Sequence, residues 1–257
     1  MMNILVTNDD GIYSPGLLAL AKAMKFLGDV TVVAPDKNWS VSGHAKTLRR
    51  PLRSKPVKLD SNINAYSIDG TPADCVIISH LGLIKEPIDL VVSGINPFAN
   101  LGTDLTYSGT VTAAMEAIIW GIPAIAFSIN GQDPKMFEQY FSDAGLIAKN
   151  VTKSVLDNGN SKEILLNVNI PDLPINKIKG YKVTKQGKRI YQDKLITRQD
   201  PNGRPYHWIG GDPPTGIPDE GTDIGALYND FVSITPIHLD MTSHKDIERL
   251  KKYQWHT

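Results

Sequence analysis

The chain has 257 residues, enough for one large α/β domain or one domain with an appendage, and its 27 Lys and Arg equal its 27 Asp and Glu. Because this balance lacks the basic bias of nucleic-acid binders, we expect no stable nucleic-acid complex. The single cysteine, Cys75, excludes an internal disulfide framework and is typical of a reducing compartment. No apolar run approaches the ~20 residues that a membrane span needs, and no basic segment typical of a signal peptide precedes the first apolar run. We therefore expect a cytoplasmic protein with no membrane partner.

The N-terminal half of the chain alternates short apolar runs with helical patterns. The predicted strands are Asn3–Thr7, Val30–Ala34, Tyr66–Ile68, Leu90–Ser93 and Pro123–Ser128. The predicted helices begin at Ser14-Pro15, at Thr71-Pro72 and at Ser108, and they extend to Gly28, to Leu83 and to Trp120. This alternation predicts an α/β fold with a mostly parallel sheet that is covered by helices on both faces.

The composition of the sequence changes towards the C-terminus. A helix over Met136–Leu156 and a strand over Ile164–Ile170 are predicted before the change. Residues 180–222 are rich in Gly, Pro, Lys and Arg, and they predict a long β-hairpin that turns at Asp200–Gly203. A strand over Phe231–Ile237 and a short terminal helix over Lys245–Tyr253 follow.

We expect three parts: a catalytic core over residues 1–178, an extended hairpin arm over 179–222, and a returning strand with the terminal helix over 223–257. Few positions of the hairpin could contribute to a core within one chain, and an isolated hairpin is only marginally stable. We therefore expect it to pack as an arm on another subunit. The alternative is a surface excursion on its own chain.

Polar side chains follow three of the predicted strands, where parallel sheets bind ligands. Asn8, Asp9 and Asp10 follow the first strand, residues 36–44 follow the second, and Asn96 follows LVVS. Asp9 and Asp10, with a neutral oxygen from Ser40 or Asn96, form a set of hard oxygen ligands that suits Mg²⁺ or Mn²⁺. A divalent cation would also offset the repulsion between adjacent carboxylates. The alternative for two such aspartates is a turn closed by a side-chain hydrogen bond.

The stretch Ser108-Gly109-Thr110 opens a predicted helix. Free amides at a helix start, with hydroxyl groups beside them and a glycine that permits close approach, favour a phosphate-binding turn. The alternative is that Ser108 only caps the helix. The chain lacks the dinucleotide fingerprint, the P-loop, the nucleophile elbow and the zinc-protease motif.

Five stretches of the sequence resemble one known family. They are VTNDDGIYSPGL at 6–17, APDKNWSVSGHAKTL at 34–48, DGTPADCV at 69–76, SGINPFANLGTDLTYSGTVTAAMEA at 93–117, and EGTDIGALYNDFVSITPIHLD at 220–240. Together they are similar to the SurE family almost from end to end of the chain.

The resemblance implies a metal-dependent nucleotidase that acts on nucleoside 5′- and 3′-monophosphates, with short polyphosphate as a further substrate in some members. It implies a Rossmann-like core and a homodimer, or a tetramer as a dimer of dimers, in which the C-terminal extension is swapped between subunits. One divalent cation per subunit is implied, with ligands at Asp9, Asp10, Ser40 and Asn96. Asn8 and the turn Ser108-Gly109-Thr110 fall on positions near the substrate phosphate.

The chain departs from the family at two places beside this site. Many members have Arg-Gly where this chain has Pro97-Phe98, and many have Ser-Asn where it has Gly43-His44. These departures affect the expected base and leaving-group preference more than the expected reaction.

Several alternatives stay open at this point. The nucleophile is either a water activated by Asp9 or Asp10, or one of these aspartates attacking directly. His44 is a candidate to protonate the leaving alkoxide, and its alternative role is a structural hydrogen bond. The other function considered is a nucleotide-sensing module without turnover. A haloacid-dehalogenase-like phosphatase needs its two acids one residue apart, whereas Asp9 and Asp10 are adjacent.

Overall fold

The computed structural model describes residues 2–60, 62–131, 137–159 and 163–255, with only the backbone at 137–139. Met136, the predicted start of the fourth helix, lies outside these ranges. No helix among the described residues is both long enough and apolar enough to cross a bilayer. The six α-helices described are α1 (Pro15–Met24), α2 (Pro72–Ile78), α3 (Gly109–Ile119), α4 (Phe137–Asp157), α5 (Asp223–Tyr228) and α6 (His244–Leu250).

A nine-stranded sheet forms the centre of the molecule, and a two-stranded sheet projects from it. The strands are β1 (Asn3–Thr7), β2 (Asp29–Pro35), β3 (Ser54–Pro56), β4 (Asn64–Ile68), β5 (Leu90–Asn96), β6 (Ala124–Ile129), β7 (Leu165–Ile170), β8 (Tyr181–Val183), β9 (Arg189–Gln199), β10 (Pro205–Gly216) and β11 (Val232–Pro236). The order in the large sheet is β3-β4-β2-β1-β5-β6-β7-β11-β8. The six strands from β4 to β7 in this order are mutually parallel, and β11 joins β7 in the antiparallel direction.

The chain reverses its direction of travel across the sheet between β1 and β5. It proceeds from β1 outward through β2 to β4, and then from β5 outward through β6 to β7. Adjacent parallel strands whose connections leave in opposite directions create a crevice at their carboxyl ends, which is where open α/β sheets bind ligands. The fold therefore predicts the site at the ends of β1 and β5.

Apolar residues cover both faces of the sheet because successive strand side chains point to opposite sides. In β1, Ile4 and Val6 join the core cluster that contains α1 and α4. Leu5 joins the other cluster, which contains α2 and α3. The predicted class, a mostly parallel sheet with helices on both faces, a hairpin arm and a short terminal helix, is confirmed.

Some elements differ from the sequence prediction. The helix expected to reach Leu83 ends as an α-helix at Ile78, and a wider helical turn covers Ser79–Leu83. Gly82 has φ 132°, which a regular right-handed helix does not allow, so the helical hydrogen bonding ends there. The short edge strands β3 and β8 and the helix α5 were not predicted.

The arm consists of β9 and β10, which pair in the antiparallel direction beyond the turn that Gly203 closes by donating to the Asp200 carbonyl at 2.9 Å. Its apolar side chains lie largely in solvent, with Leu195 72% exposed and its cross-strand neighbour Ile209 84% exposed. The hairpin itself is confirmed. Its swapping between subunits and the boundaries of the three parts stay predictions.

A candidate metal and phosphate site

The turn after β1 is shaped by the side chain of Asn8, which is fully buried. Its amide nitrogen donates to the Gly11 carbonyl at 3.1 Å, and its amide oxygen accepts the Gly11 N–H at 3.2 Å. Gly11 has φ +102°, a conformation that favours glycine. Because both ends of the Asn8 amide bond the backbone of this turn, the side chain fixes the loop that presents Asp9 and Asp10.

Asp9 is 3% exposed and contacts the first turn of α3 directly. The hydroxyl of Thr110 donates to Asp9 Oδ1. A Cβ at position 109 would lie 2.7 Å from Asp9 Cβ and 2.9 Å from Asp9 Oδ2, so only a glycine allows this approach. The sequence predicted a close approach at Gly109, and the structure shows that the Asp9 carboxylate meets the N-terminus of α3 there.

Burial raises the pKa of Asp9, although hydrogen bonds from the Thr110 hydroxyl and from nearby backbone N–H groups oppose this. Burial, followed by repulsion from Asp9, raises the pKa of Asp10 to about 7. Asp10 Oδ2 is buried and has no hydrogen-bond partner among the described residues. A buried carboxylate oxygen without a partner is energetically unfavourable and requires an explanation such as a bound ion.

The loop over residues 36–44 lies beside the end of β1. Its Trp39 N–H donates to the Asp9 carbonyl at 2.7 Å. Ser40 is exposed, and its N–H is held by Asn38 Oδ1 at 2.7 Å. Ser42 lies deeper, because its hydroxyl is 3.1 Å from the point where a Cβ of residue 109 would be. The sequence analysis did not select Ser42 as a site residue, because Ser40 and Ser42 both follow the second strand and their sequence positions do not show which one lies nearer the site.

Asn96 ends β5 and is 9% exposed. Its amide nitrogen donates to the Phe98 carbonyl, which leaves its amide oxygen as the atom suited to a cation. Close packing of α1 sets the position of this strand. A Cβ at Gly16 would lie 2.1 Å from the Ile95 carbonyl oxygen, so the helix contacts the strand backbone where Asn96 begins to turn.

Ser108 caps the N-terminus of α3, which is the role considered as the alternative to phosphate binding. Ser108 Oγ accepts the Val111 N–H at 3.1 Å, and Ser108 is 6% exposed. The Thr112 hydroxyl donates to the Ser108 carbonyl at 2.8 Å and to the Gly43 carbonyl at 3.0 Å. The first turn of α3 is thus both capped and attached to the 36–44 loop.

His44 ends the 36–44 loop and lies beside a later part of α3, where it contacts Glu116. Its Nε2 is 2.7 Å from Oε2 of Glu116, whose side chain is 6% exposed, and the Trp120 indole donates to Glu116 Oε1 at 2.9 Å. Burial acts to raise the pKa of Glu116, but hydrogen bonds from His44 and Trp120 outweigh burial and lower it. Sequence reasoning missed Glu116, because its partner is 72 residues away along the chain.

The structure brings some of the predicted site residues into direct contact and places others only at the same sheet edge. Asp9, Gly109 and Thr110 are in direct contact, and Asp10 and Asn96 lie at the same sheet edge. The described ranges contain no group of three His, Cys, Asp or Glu side chains that could hold a metal. The predicted ligand set has two carboxylates with neutral oxygens, and it stays a prediction. The roles assigned to Asn8, Ser40, His44 and the other site residues stay predictions.

Known proteins resemble this chain over almost its whole length. The family model described as Survival protein SurE matches residues 4–193. A protein named 5′-nucleotidase SurE from Herpetosiphon aurantiacus is 49% identical over 255 residues, with 99% of each chain covered. Its namesake from Chloroflexus aggregans is 47% identical over 254 residues, covering 99% of this chain and 100% of the relative. The crystal structure of the SurE protein from Aquifex aeolicus superposes with a TM-score of 0.80 at 44% identity, covering 97% of this chain and 98% of that one. With a family match over most of its length and relatives this similar end to end, the chain belongs to the SurE family.

Proposed function

We propose that this chain is a 5′-nucleotidase that hydrolyses nucleoside 5′-monophosphates to nucleoside and phosphate, with the help of a divalent cation. The names of its relatives, both 5′-nucleotidase SurE, support the nucleotidase activity. The observation that carries the proposal is the contact between Asp9 and the first turn of α3. It makes an acidic pair and a phosphate-binding helix start parts of one site.

The carboxylates fit one Mg²⁺ or Mn²⁺ per subunit, which would be held by Asp9, Asp10, Asn96 and the exposed Ser40. The fit rests on the buried, unpartnered Asp10 Oδ2 and on a carboxylate pair in which burial raises both pKa values. Such a pair lies in a position that is unfavourable for two negative charges and favourable for a cation. When bound, the cation supplies positive charge to phosphate oxygens during phosphoryl transfer.

The chain's own groups perform the remaining tasks. The N-terminus of α3, with Ser108, Gly109 and Thr110, binds the phosphate through backbone N–H groups and the helix dipole. Asn8 keeps the β1 turn in shape through its two bonds to Gly11. Asp9 or Asp10 either takes a proton from the attacking water or attacks phosphorus itself. The proton transfer to the leaving group that was expected of His44 stays a prediction.

We propose that 3′-monophosphates, and short polyphosphate, are further substrates, and that the chain forms a homodimer or a dimer of dimers in the cytoplasm. The largely exposed apolar side chains of the arm support association, because Leu195 and Ile209 would be buried against a second copy.

Phosphate release from a panel of nucleoside monophosphates, with Mg²⁺, with Mn²⁺ and with EDTA, tests the function. We expect metal-dependent release that Asp9→Asn reduces by at least about 1,000-fold, since charge stabilisation and nucleophile activation are lost together. Asp157→Asn, an exposed aspartate on α4, is the control and should keep full activity. If the wild-type protein binds nucleotide but releases no phosphate with either metal, the sensing module becomes the better description.

A further inference from the structure

The pair formed by His44 and Glu116 has the features of a built contact rather than a chance surface ion pair. Glu116 is buried on α3, and each of its two carboxylate oxygens is within hydrogen-bond distance of a ring N–H donor, from His44 at 2.7 Å and from Trp120 at 2.9 Å. The His44 side chain is 31% exposed, so the bond joins a partly solvated loop residue to the protein interior. A buried carboxylate whose partner is removed is strongly unfavourable, which makes this contact specific.

The position of the pair along α3 separates it from the phosphate-binding turn. Glu116 is seven residues beyond Gly109, and at 1.5 Å per residue this places it about 10 Å along the helix axis. A histidine bonded to Glu116 therefore lies beside the second and third turns of α3. The phosphate is expected at the first turn, where Gly109 meets Asp9.

The loop over residues 36–44 connects these two places. Its Trp39 N–H is bonded to the Asp9 carbonyl at 2.7 Å, at the site. Gly43 follows, with its N–H bonded to the Tyr107 carbonyl at 2.9 Å and its carbonyl accepting from the Thr112 hydroxyl at 3.0 Å. The bond from His44 to Glu116 is the next attachment along the chain, after which the backbone of Ala45 and Thr47 bonds to residues at the start of α2.

We propose that His44 and Glu116 are positioning residues, forming a clamp that holds the loop over residues 36–44 on α3 and thereby places Ser40 and Ser42 at the metal and phosphate site. The functional part of this inference rests on the proposed nucleotidase site. The structural part, that the clamp restrains the loop, is independent of metal and of turnover.

Amide hydrogen exchange of the metal-free protein tests the structural part. His44→Ala should accelerate exchange in the peptide over residues 37–44 by about 10- to 100-fold, the effect of losing a hydrogen bond to a charged group. His44→Gln keeps an N–H donor near the position of Nε2. Because the hydrogen bond to Glu116 is retained, its exchange rate over residues 37–44 should stay within about threefold of wild type. Trp120→Phe is the matched control, because it removes the other bond to Glu116 and leaves that of His44 in place.

Two substrates with different leaving groups test the functional part. A nucleoside 5′-monophosphate leaves an alkoxide that needs a proton, whereas 4-nitrophenyl phosphate leaves a stabilised phenolate that needs none. A clamp predicts that His44→Ala lowers kcat/KM for both substrates by the same factor and weakens Mn²⁺ binding by about 10-fold. His44→Gln should restore all three quantities.

The opposite results are equally specific. If His44→Ala slows only the nucleotide and His44→Gln does not rescue it, His44 is a proton donor and the clamp is wrong. Unchanged exchange over residues 37–44 in His44→Ala also overturns the clamp. A wild-type protein that releases no phosphate would refute the proposed function, and the exchange experiment would still decide whether the clamp exists.

Discussion

The sheet edge at β1 and β5 and the arm formed by β9 and β10 are built in opposite ways. At the sheet edge, polar side chains such as Asp9 and Thr110 are buried and held from several directions by one chain. In the arm, apolar side chains such as Leu195 and Ile209 are exposed. The difference is that the polar side chains of the candidate site contact one another within one chain, whereas the apolar side chains of the arm lie in solvent. That a second copy buries the arm stays a prediction.

The contact of Gly109 with Asp9 allows the strongest challenge to this comparison. Gly109→Ala would force a methyl group to within 2.7 Å of Asp9 Cβ, so the carboxylate and the helix start must separate. We expect kcat/KM for nucleoside monophosphates to fall at least about 100-fold, as displacements near 1 Å do in active sites, while the protein stays folded.

Gly121, just beyond the other end of α3, provides the control for that substitution. It has φ +72° and open space where a Cβ would lie, so Gly121→Ala should cost about 1 kcal/mol of stability and leave turnover unchanged. Thermal unfolding and kcat/KM measured together separate the two effects. Full activity in Gly109→Ala would mean that the reaction does not take place at this contact.

The arm can be tested by placing a charge on its apolar surface. Leu195→Asp should weaken self-association about 30-fold, because a buried leucine side chain contributes about 2 kcal/mol. Sedimentation equilibrium over a range of concentrations measures the change. Lys194→Gln alters the net charge equally at a neighbouring residue that points to the opposite face, and it should leave association unchanged. A wild-type protein that is monomeric at all concentrations would show that the arm does not dock on a second copy.

The site should also destabilise the metal-free protein as pH rises. In the folded state the pKa of Asp10 is raised from 3.8 to about 7, so the folded protein binds more protons than the unfolded chain between these values. The contribution of Asp10 to stability is therefore largest near the lower value and is lost as pH rises towards 7. We expect the Tm of metal-free protein to fall over this range. Asp10→Asn should flatten the decline, and added Mn²⁺ should reverse it.

The smallest expected effect concerns the connection between the two regions. Tyr191, near the base of the arm, donates its hydroxyl to Asp104 Oδ1 at 2.6 Å, and Arg189 donates to Asp104 Oδ2 at 2.6 Å. Asp104 lies in the short helix that leads to Ser108. Tyr191→Phe removes the partly exposed bonds of this hydroxyl to Asp104 and to Thr103, and it should change kcat/KM by less than about threefold. A larger change would show that the arm and the site are not separate units.

The sequence was sufficient for features that depend on local patterns. The strand Asn3–Thr7 was predicted with its observed bounds, since an apolar run ends there at acidic residues and glycine. The parallel order of the strands is confirmed, and the prediction that the site lies beyond the ends of the first strand, the second strand and LVVS rests on it. The elements that escaped prediction are short, such as β8 with three residues and α5 with six.

The rest of the site could not be read because it depends on contacts between distant residues. Nothing in the sequence near Glu116 indicates that it bonds His44, and the same helix pattern would suit a solvent-exposed glutamate. Ser40 and Ser42 are two residues apart, and only the folded loop exposes the first and brings the second to Gly109. Gly16 and Gly109 mark close contacts, and only the folded chain shows that their partners are the Ile95 carbonyl and the Asp9 side chain.

The glycine at position 16 shows how a helix can set a distance elsewhere. With the Ile95 oxygen 2.1 Å from where its Cβ would be, α1 can only lie this low over β5 because residue 16 has no side chain. An alanine there would act as a wedge beneath the strand that ends in Asn96, and it would move that amide relative to the aspartates of the neighbouring strand. The spacing of the oxygen atoms proposed to bind the cation is thus encoded partly in a residue that is not one of the proposed ligands.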